Sequence, residues 1–184
     1  MNKKWHGLLI IEEITHRNKD GKILWQENNL TNILHNTGEK LLLSSVFSGF
    51  ALPTNYTFGL DARTILTTTG GTNGEALIYP YIVNNVTLAT KPNGEPVGSG
   101  YARVNVANNT FSIILDSDNH YRANGPVISF LASGSGYGPV NNLFLLYSAN
   151  GQDIIVSTVP LTQPLTMISG EVINVKMGIK LVSS

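Results

Sequence analysis

From residue 91 to the end of the chain, turn-forming residues recur about every ten positions, and the segments between them are short and rich in branched and aromatic side chains. That rhythm excludes long helices and requires strands. The last segment shows it best. Ile173, Val175, Met177, Ile179 and Leu181 fall on one side of an extended chain, with Asn174, Lys176 and Lys180 on the other. A strand with one apolar side has to be covered by a second layer. Tyr101–Val106 alternates in the same manner, as do Phe111, Ile113 and Leu115; Val127–Leu131 and Leu143–Tyr147 are nearly continuous apolar runs, and Asp153–Val159 mixes β-branched residues on both faces. Many short strands with regular turns predict a sandwich or barrel.

The first third reads differently. Trp5–Thr15 and Lys22–Glu27 are strand-like and flank Arg17-Asn18-Lys19-Asp20-Gly21, whose Asp-Gly pair is a strong hairpin signal. Between Asn36 and Phe47 the period changes, because Leu42, Leu43, Val46 and Phe47 form a helical stripe and Asn36 and Glu39 have the spacing of a capping box. Gly49 and Pro53 end this helix, the first through its φ freedom and the second because its ring cannot continue the turn. Tyr56–Leu60 is a short strand, and Thr64–Pro80, threonine- and glycine-rich with no helical period, reads as a long surface loop or arm. The expected fold is mainly β: an antiparallel two-sheet β-sandwich of eight to ten strands with one short α-helix over about 36–48, in a single domain spanning 1–184 with the arm around 64–80.

Charge narrows the partners. Twelve basic and twelve acidic residues cancel, which removes the electrostatic footprint of a nucleic-acid binder. Charged residues are only 13% of the chain, against roughly 25% in ordinary soluble domains. Between Ala123 and Val175 only Asp153 and Glu171 carry charge, so that stretch is expected to be core, contact surface or both. With no cysteine there are no disulfides or thiolate sites, and stability has to come from packing. The apolar stretch Leu8–Ile11 is too short for a signal-peptide core, and no run approaches the ~20 residues of a membrane span, so a soluble chain without membrane contact is expected.

A search for chemistry ends without a constellation. Gly134-Ser135-Gly136 lies between two β segments and opens no helix, unlike a nucleophile elbow. His6, His16, His35 and His120 have no metal-ligand spacing and read as surface or strand-end residues. Asp116-Ser117-Asp118-Asn119-His120 resembles the start of a calcium loop, but Tyr121 stands where the glycine belongs, and a turn is the better reading. Acids are too sparse for a glycosidase pair across a cleft, and Gly70-Gly71 and Gly134–Gly138 lack the lysine and helix start of a phosphate loop. We therefore expect no catalytic residue, no cofactor and no metal.

Two corners remain. Gly100-Tyr101-Ala102-Arg103 and Gly136-Tyr137-Gly138-Pro139-Val140 each place an aromatic beside glycine at a strand boundary. The rings either pack beneath turns that glycine allows, or Tyr101, Arg103 and Tyr137 anchor an interface, where Tyr and Arg dominate contact energy.

The order Trp25-Gln26-Glu27-Asn28-Asn29-Leu30, Asn36-Thr37-Gly38-Glu39-Lys40-Leu41-Leu42 and Phe58-Gly59-Leu60-Asp61-Ala62-Arg63 resembles the first half of a group of small proteins encoded among the structural genes of tailed bacteriophages. Glu95-Pro96, Gly100-Tyr101-Ala102-Arg103, Gly138-Pro139-Val140-Asn141-Asn142-Leu143-Phe144-Leu145 and Ser169-Gly170-Glu171 continue it. This chain departs from the pattern at Tyr137, where Trp is frequent, and at Val104, where Gln is. The resemblance implies a non-enzymatic virion component of the head-decoration, neck or tail-associated type, assembled in the bacterial host cytoplasm. Its implied partners are capsid, neck or tail subunits, in repeated copies or a homo-oligomer, with Arg63 a further interface candidate beside Tyr101, Arg103 and Tyr137. The alternative reading is a receptor- or carbohydrate-binding module of a tail or fibre, with which the pairs Asn84-Asn85, Asn108-Asn109 and Asn141-Asn142 are compatible.

Overall fold

The computed structural model describes residues 5–31, 33–34, 36–62, 94–149 and 152–183. Among these, twelve strands and one α-helix follow one another as β1 (Trp5–Arg17), β2 (Ile23–Thr31), β3 (Ile33–Leu34), α1 (Asn36–Phe47), β4 (Asn55–Asp61), β5 (Val97–Gly98), β6 (Val104–Ala107), β7 (Ser112–Leu115), β8 (Tyr121–Asn124), β9 (Ile128–Leu131), β10 (Tyr137–Ala149), β11 (Gln152–Met167) and β12 (Val172–Ser183). They form two antiparallel sheets. The first has the order β2-β1-β12-β8-β7, with β9 also on β12; the second has the order β3-β11-β10-β4-β6, with β5 also on β10. The two sheets make a β-sandwich, as the alternation predicts.

Local chemistry explains the connections. At the β1–β2 hairpin the Asn18 side chain accepts hydrogen bonds from the backbone N–H of Asp20 and Lys22 at 3.0 and 2.9 Å, and Gly21 takes φ +80°. Only glycine reaches that backbone without strain. Helix α1 stops after Phe47 because Ser44 O accepts both Ser48 N–H and Phe50 N–H, with Gly49 at φ +65° between them. That is the paired carbonyl capping a glycine stop provides.

The core lies between the sheets. Ile11 and Ile14 of β1, Ile173, Val175 and Met177 of β12 and Phe130 of β9 belong to one buried cluster with Phe58 and Leu60 of β4, Leu143 and Leu145 of β10 and Val159 of β11. Each contributes about 1.5–3 kcal/mol through burial. The continuous apolar run in β10 is explained by burial on both faces. Phe144 and Leu146 are as enclosed as their neighbours but stand on the opposite side, where the Phe144 ring lies across Gly59 and a Cβ added there would sit 2.1 Å from it.

Three expectations change. Tyr101–Arg103 is not strand, since β6 begins only at Val104. The helix packs on β11 but buries mainly Leu41, while Leu43, Val46 and Phe47 of the predicted stripe face outward. Two very short pairings, β3 and β5, raise the strand number above the expected one, because two-residue bridges leave no periodicity to read. The expected arm, Thr64–Pro80, lies outside the described residues; Ala62 N–H donates to Gly94 O.

Candidate functional site

The two glycine-tyrosine corners meet. Gly100 and Gly136 adopt φ +89° and +76°, and the rings that follow them turn inward, Tyr101 and Tyr137 lying edge to face with centroids 5.6 Å apart. The Tyr137 hydroxyl donates to Phe130 O at 3.2 Å. Tyr101 receives Leu60 N–H at 3.0 Å and donates to Glu95 Oε1 at 2.6 Å. Burial and then the Glu95 carboxylate push the Tyr101 phenol well above its ordinary range, and burial does the same to Tyr137. Both hydroxyls therefore stay protonated and serve as donors.

Arg103 completes the cluster. Its Nε donates to Glu95 Oε1 at 3.0 Å and its Nη1 to Asp153 Oδ2 at 2.6 Å, while the guanidinium lies 5.7 Å from the centroid of Phe144. Ser148 donates to the other Asp153 oxygen at 2.7 Å. A cation between two carboxylates, stacked on an aromatic ring, is a clamp between loop and sheet. The structure thus brings Tyr101, Arg103 and Tyr137 together, with both tyrosine rings occupied inside the chain; Arg63 lies outside the described residues.

The Asp116–His120 turn also has an internal cation. Lys180, only 6% exposed although it stands on the polar side of β12, donates to Asp116 Oδ2 at 3.1 Å and to Asp118 Oδ2. The ammonium occupies the position between the carboxylates that a metal would need. The Lys180 bond holds the Asp118 carboxyl below its usual range, and the Asp118 bond raises Lys180 in return. Arg122 extends the network to Glu12 at 2.6 Å, and Lys176 joins Glu12 at 2.9 Å. Among the described residues, no three histidine or acidic side chains converge as a metal site.

His16 is a strand-end residue, as read from the sequence, next to last in β1, and is buried there: its Nε2 lies 2.9 Å from Glu171 Oε2, which also accepts Ile168 N–H at 2.9 Å. His120 stays exposed at its turn, with Nδ1 3.1 Å from Asp118 O.

Sequence reasoning passed over Glu95, Asp153, Glu171 and Lys180 as site residues. A signal existed for two of them. Asp153 and Glu171 are the only charges between Ala123 and Val175, and each is tied to a cation or imidazole from a distant strand or loop. An isolated charge in an apolar stretch needs a partner, because an unpaired one is costly to bury.

Two surface features remain. Leu43, Val46, Phe47, Phe50 and Leu52, within ten residues of chain around the end of α1, are each between 45 and 79% exposed. At the margin of the second sheet, Thr54, Asn55, Thr57, Asn105 and Ser148 line a shallow, uncharged polar depression, in which Thr57 donates to Asn105 at 2.7 Å. Searches of protein-family models, curated proteins and solved structures find no match to this chain.

Proposed function

We propose that this protein is a non-enzymatic structural component of a tailed-bacteriophage virion, attached to capsid, neck or tail subunits through protein contacts. The observation that carries the contact role is the exposed apolar group at the end of α1. Monomeric soluble proteins scatter large apolar residues singly, and a contiguous exposed group marks an interaction surface. Its position supports the reading too: the group sits on a helix end and the following loop, so it can enter a partner's groove without opening either sheet. Among the described residues, Arg103, Arg122 and Lys180 are ion-paired within the chain with Asp153, Glu12 and Asp116, which suits a scaffold. The virion setting rests on the order of sequence motifs.

The test is location. Particles of the encoding phage, purified through a density gradient, should contain the chain in a fixed multiple of copies, and electron microscopy with a tagged chain should place it at repeated positions. Recovery only in the free lysate fraction overturns the reading.

The polar depression supports a second reading, glycan binding. Amide and hydroxyl side chains without charge suit neutral sugar hydroxyls. A glycan screen with the intact chain separates the two, since saturable binding that is abolished by Asn105→Ala belongs only to the second.

A further inference from the structure

We infer that β7 is a pairing edge, and that its occupant is β7 of a second copy, antiparallel about a two-fold axis through Ile114. Strand β7 closes one end of the first sheet and pairs, among the described strands, with β8. Its sequence is Ser-Ile-Ile-Leu: no charge, no proline, and no bulge in its register with β8, so apart from its four-residue length it lacks the usual devices that blunt an edge. Three other edges differ. On β2, Glu27 accepts the N–H and hydroxyl of Thr162 and so ties that edge to β11; β3 is two residues long; β6 leans on β9.

Parity selects the register. Ile113 and Leu115 stand on the same side of β7 as Ala123 and Tyr121 of β8, which are directly opposite them. Ile113, Leu115 and Tyr121 are 68, 57 and 68% exposed, because this hairpin carries the core-facing side of the sheet past the end of its cover. Centred on Ile114, the antiparallel pair sets Ile113 against Leu115 of the second copy and Leu115 against its Ile113, so the apolar sides merge. A shift by one residue would turn them to opposite faces. The charges agree with this register. Asp116, the nearest acid, meets Ser112 of the second copy instead of another carboxylate, and it is already held by Lys180.

Size sets the strength. Covering these three side chains and a four-residue strand edge removes less than the roughly 800 Å² per partner of a standard stable interface. Free chains therefore associate weakly, and the pairing becomes effective where copies are held close together. This goes beyond the attachment role assigned to α1, and the two fail separately.

The absence of cysteine makes the test clean. Directly opposed residues of an antiparallel pair have Cα atoms about 4.5–5.5 Å apart, within disulfide reach. Under mild oxidation Ile114→Cys should give a covalent dimer on a non-reducing gel, and Lys19→Cys, exposed at the β1–β2 turn, should not. A mixture of Ile113→Cys and Leu115→Cys chains, both altered at exposed positions that folding does not need, should give the mixed dimer in at least fivefold excess over either homodimer. Adding Tyr121→Lys should reduce that dimer severalfold. The inference is overturned by no preference for the mixed dimer, by equal crosslinking through Lys19→Cys, or by a yield unchanged by Tyr121→Lys.

Discussion

The hydroxyl of Tyr101 donates to Glu95 at 2.6 Å, and this bond joins the loop before β6 to a carboxylate that is only 4% exposed. Arg103 binds the same carboxylate oxygen from the other side and carries the link on to Asp153. Tyr101→Phe removes the donor to Glu95 and the acceptor of Leu60 N–H, and should cost about 1–3 kcal/mol in urea unfolding. Arg103→Ala removes the cation that Glu95 and Asp153 share and should cost more, roughly 3–5 kcal/mol. The two changes should be less than additive, because both act on one carboxylate.

Alkaline pH should weaken the fold in a defined window. The Tyr101 phenol is raised when folded, so its contribution is complete below the ordinary tyrosine value of about 10 and declines as pH rises beyond it, by about 1.4 kcal/mol per pH unit. Stability measured from pH 9 to 11.5 should fall with that added slope, and Tyr101→Phe should flatten it. Tyr101 and Tyr137 should ionise only on unfolding, as followed by tyrosinate absorbance.

Lys180 should be needed where a lone surface lysine would not be. Lys180→Met removes the cation that Asp116 and Asp118 share and leaves Arg122 at 3.8 Å from Asp116, so the melting temperature at neutral pH should drop. Asp118 is depressed when folded, and its contribution is present above the ordinary carboxyl range and lost as pH falls through its folded value. The variant should therefore lose less stability than the wild type between pH 5 and pH 2.

Gly59 is required by the ring across it. Gly59→Ala places a methyl group into Phe144 and should cost about 1–3 kcal/mol, read from the urea midpoint. Phe144→Ala alone should also destabilise, but the double variant should be more stable than the sum of the two losses.

The α1 group should separate attachment from folding. Val46→Lys and Phe47→Lys alter residues 72 and 79% exposed, so stability should stay within about 0.5 kcal/mol of wild type. Incorporation into particles should fall at least tenfold.

Much of the fold could be read along the chain. The alternation of β12, the Asp-Gly hairpin, the helix from Asn36 with its glycine stop, and the two-faced run of β10 are local patterns set by a period of two, a period of 3.6 or a single φ angle. The Gly-Tyr corners were legible in the same way as places where a ring packs under a turn. What the pattern could not supply was the partner. His16 finds Glu171 across 155 positions, Arg103 finds Asp153 across 50 and Lys180 finds Asp118 across 62. It also left open which apolar sides are covered, and in α1 and β7 the answer is largely solvent. Backbone sterics and side-chain periodicity act between neighbours and so are written in the sequence. Burial and charge pairing depend on which strands lie side by side, and only the closed sandwich decides that.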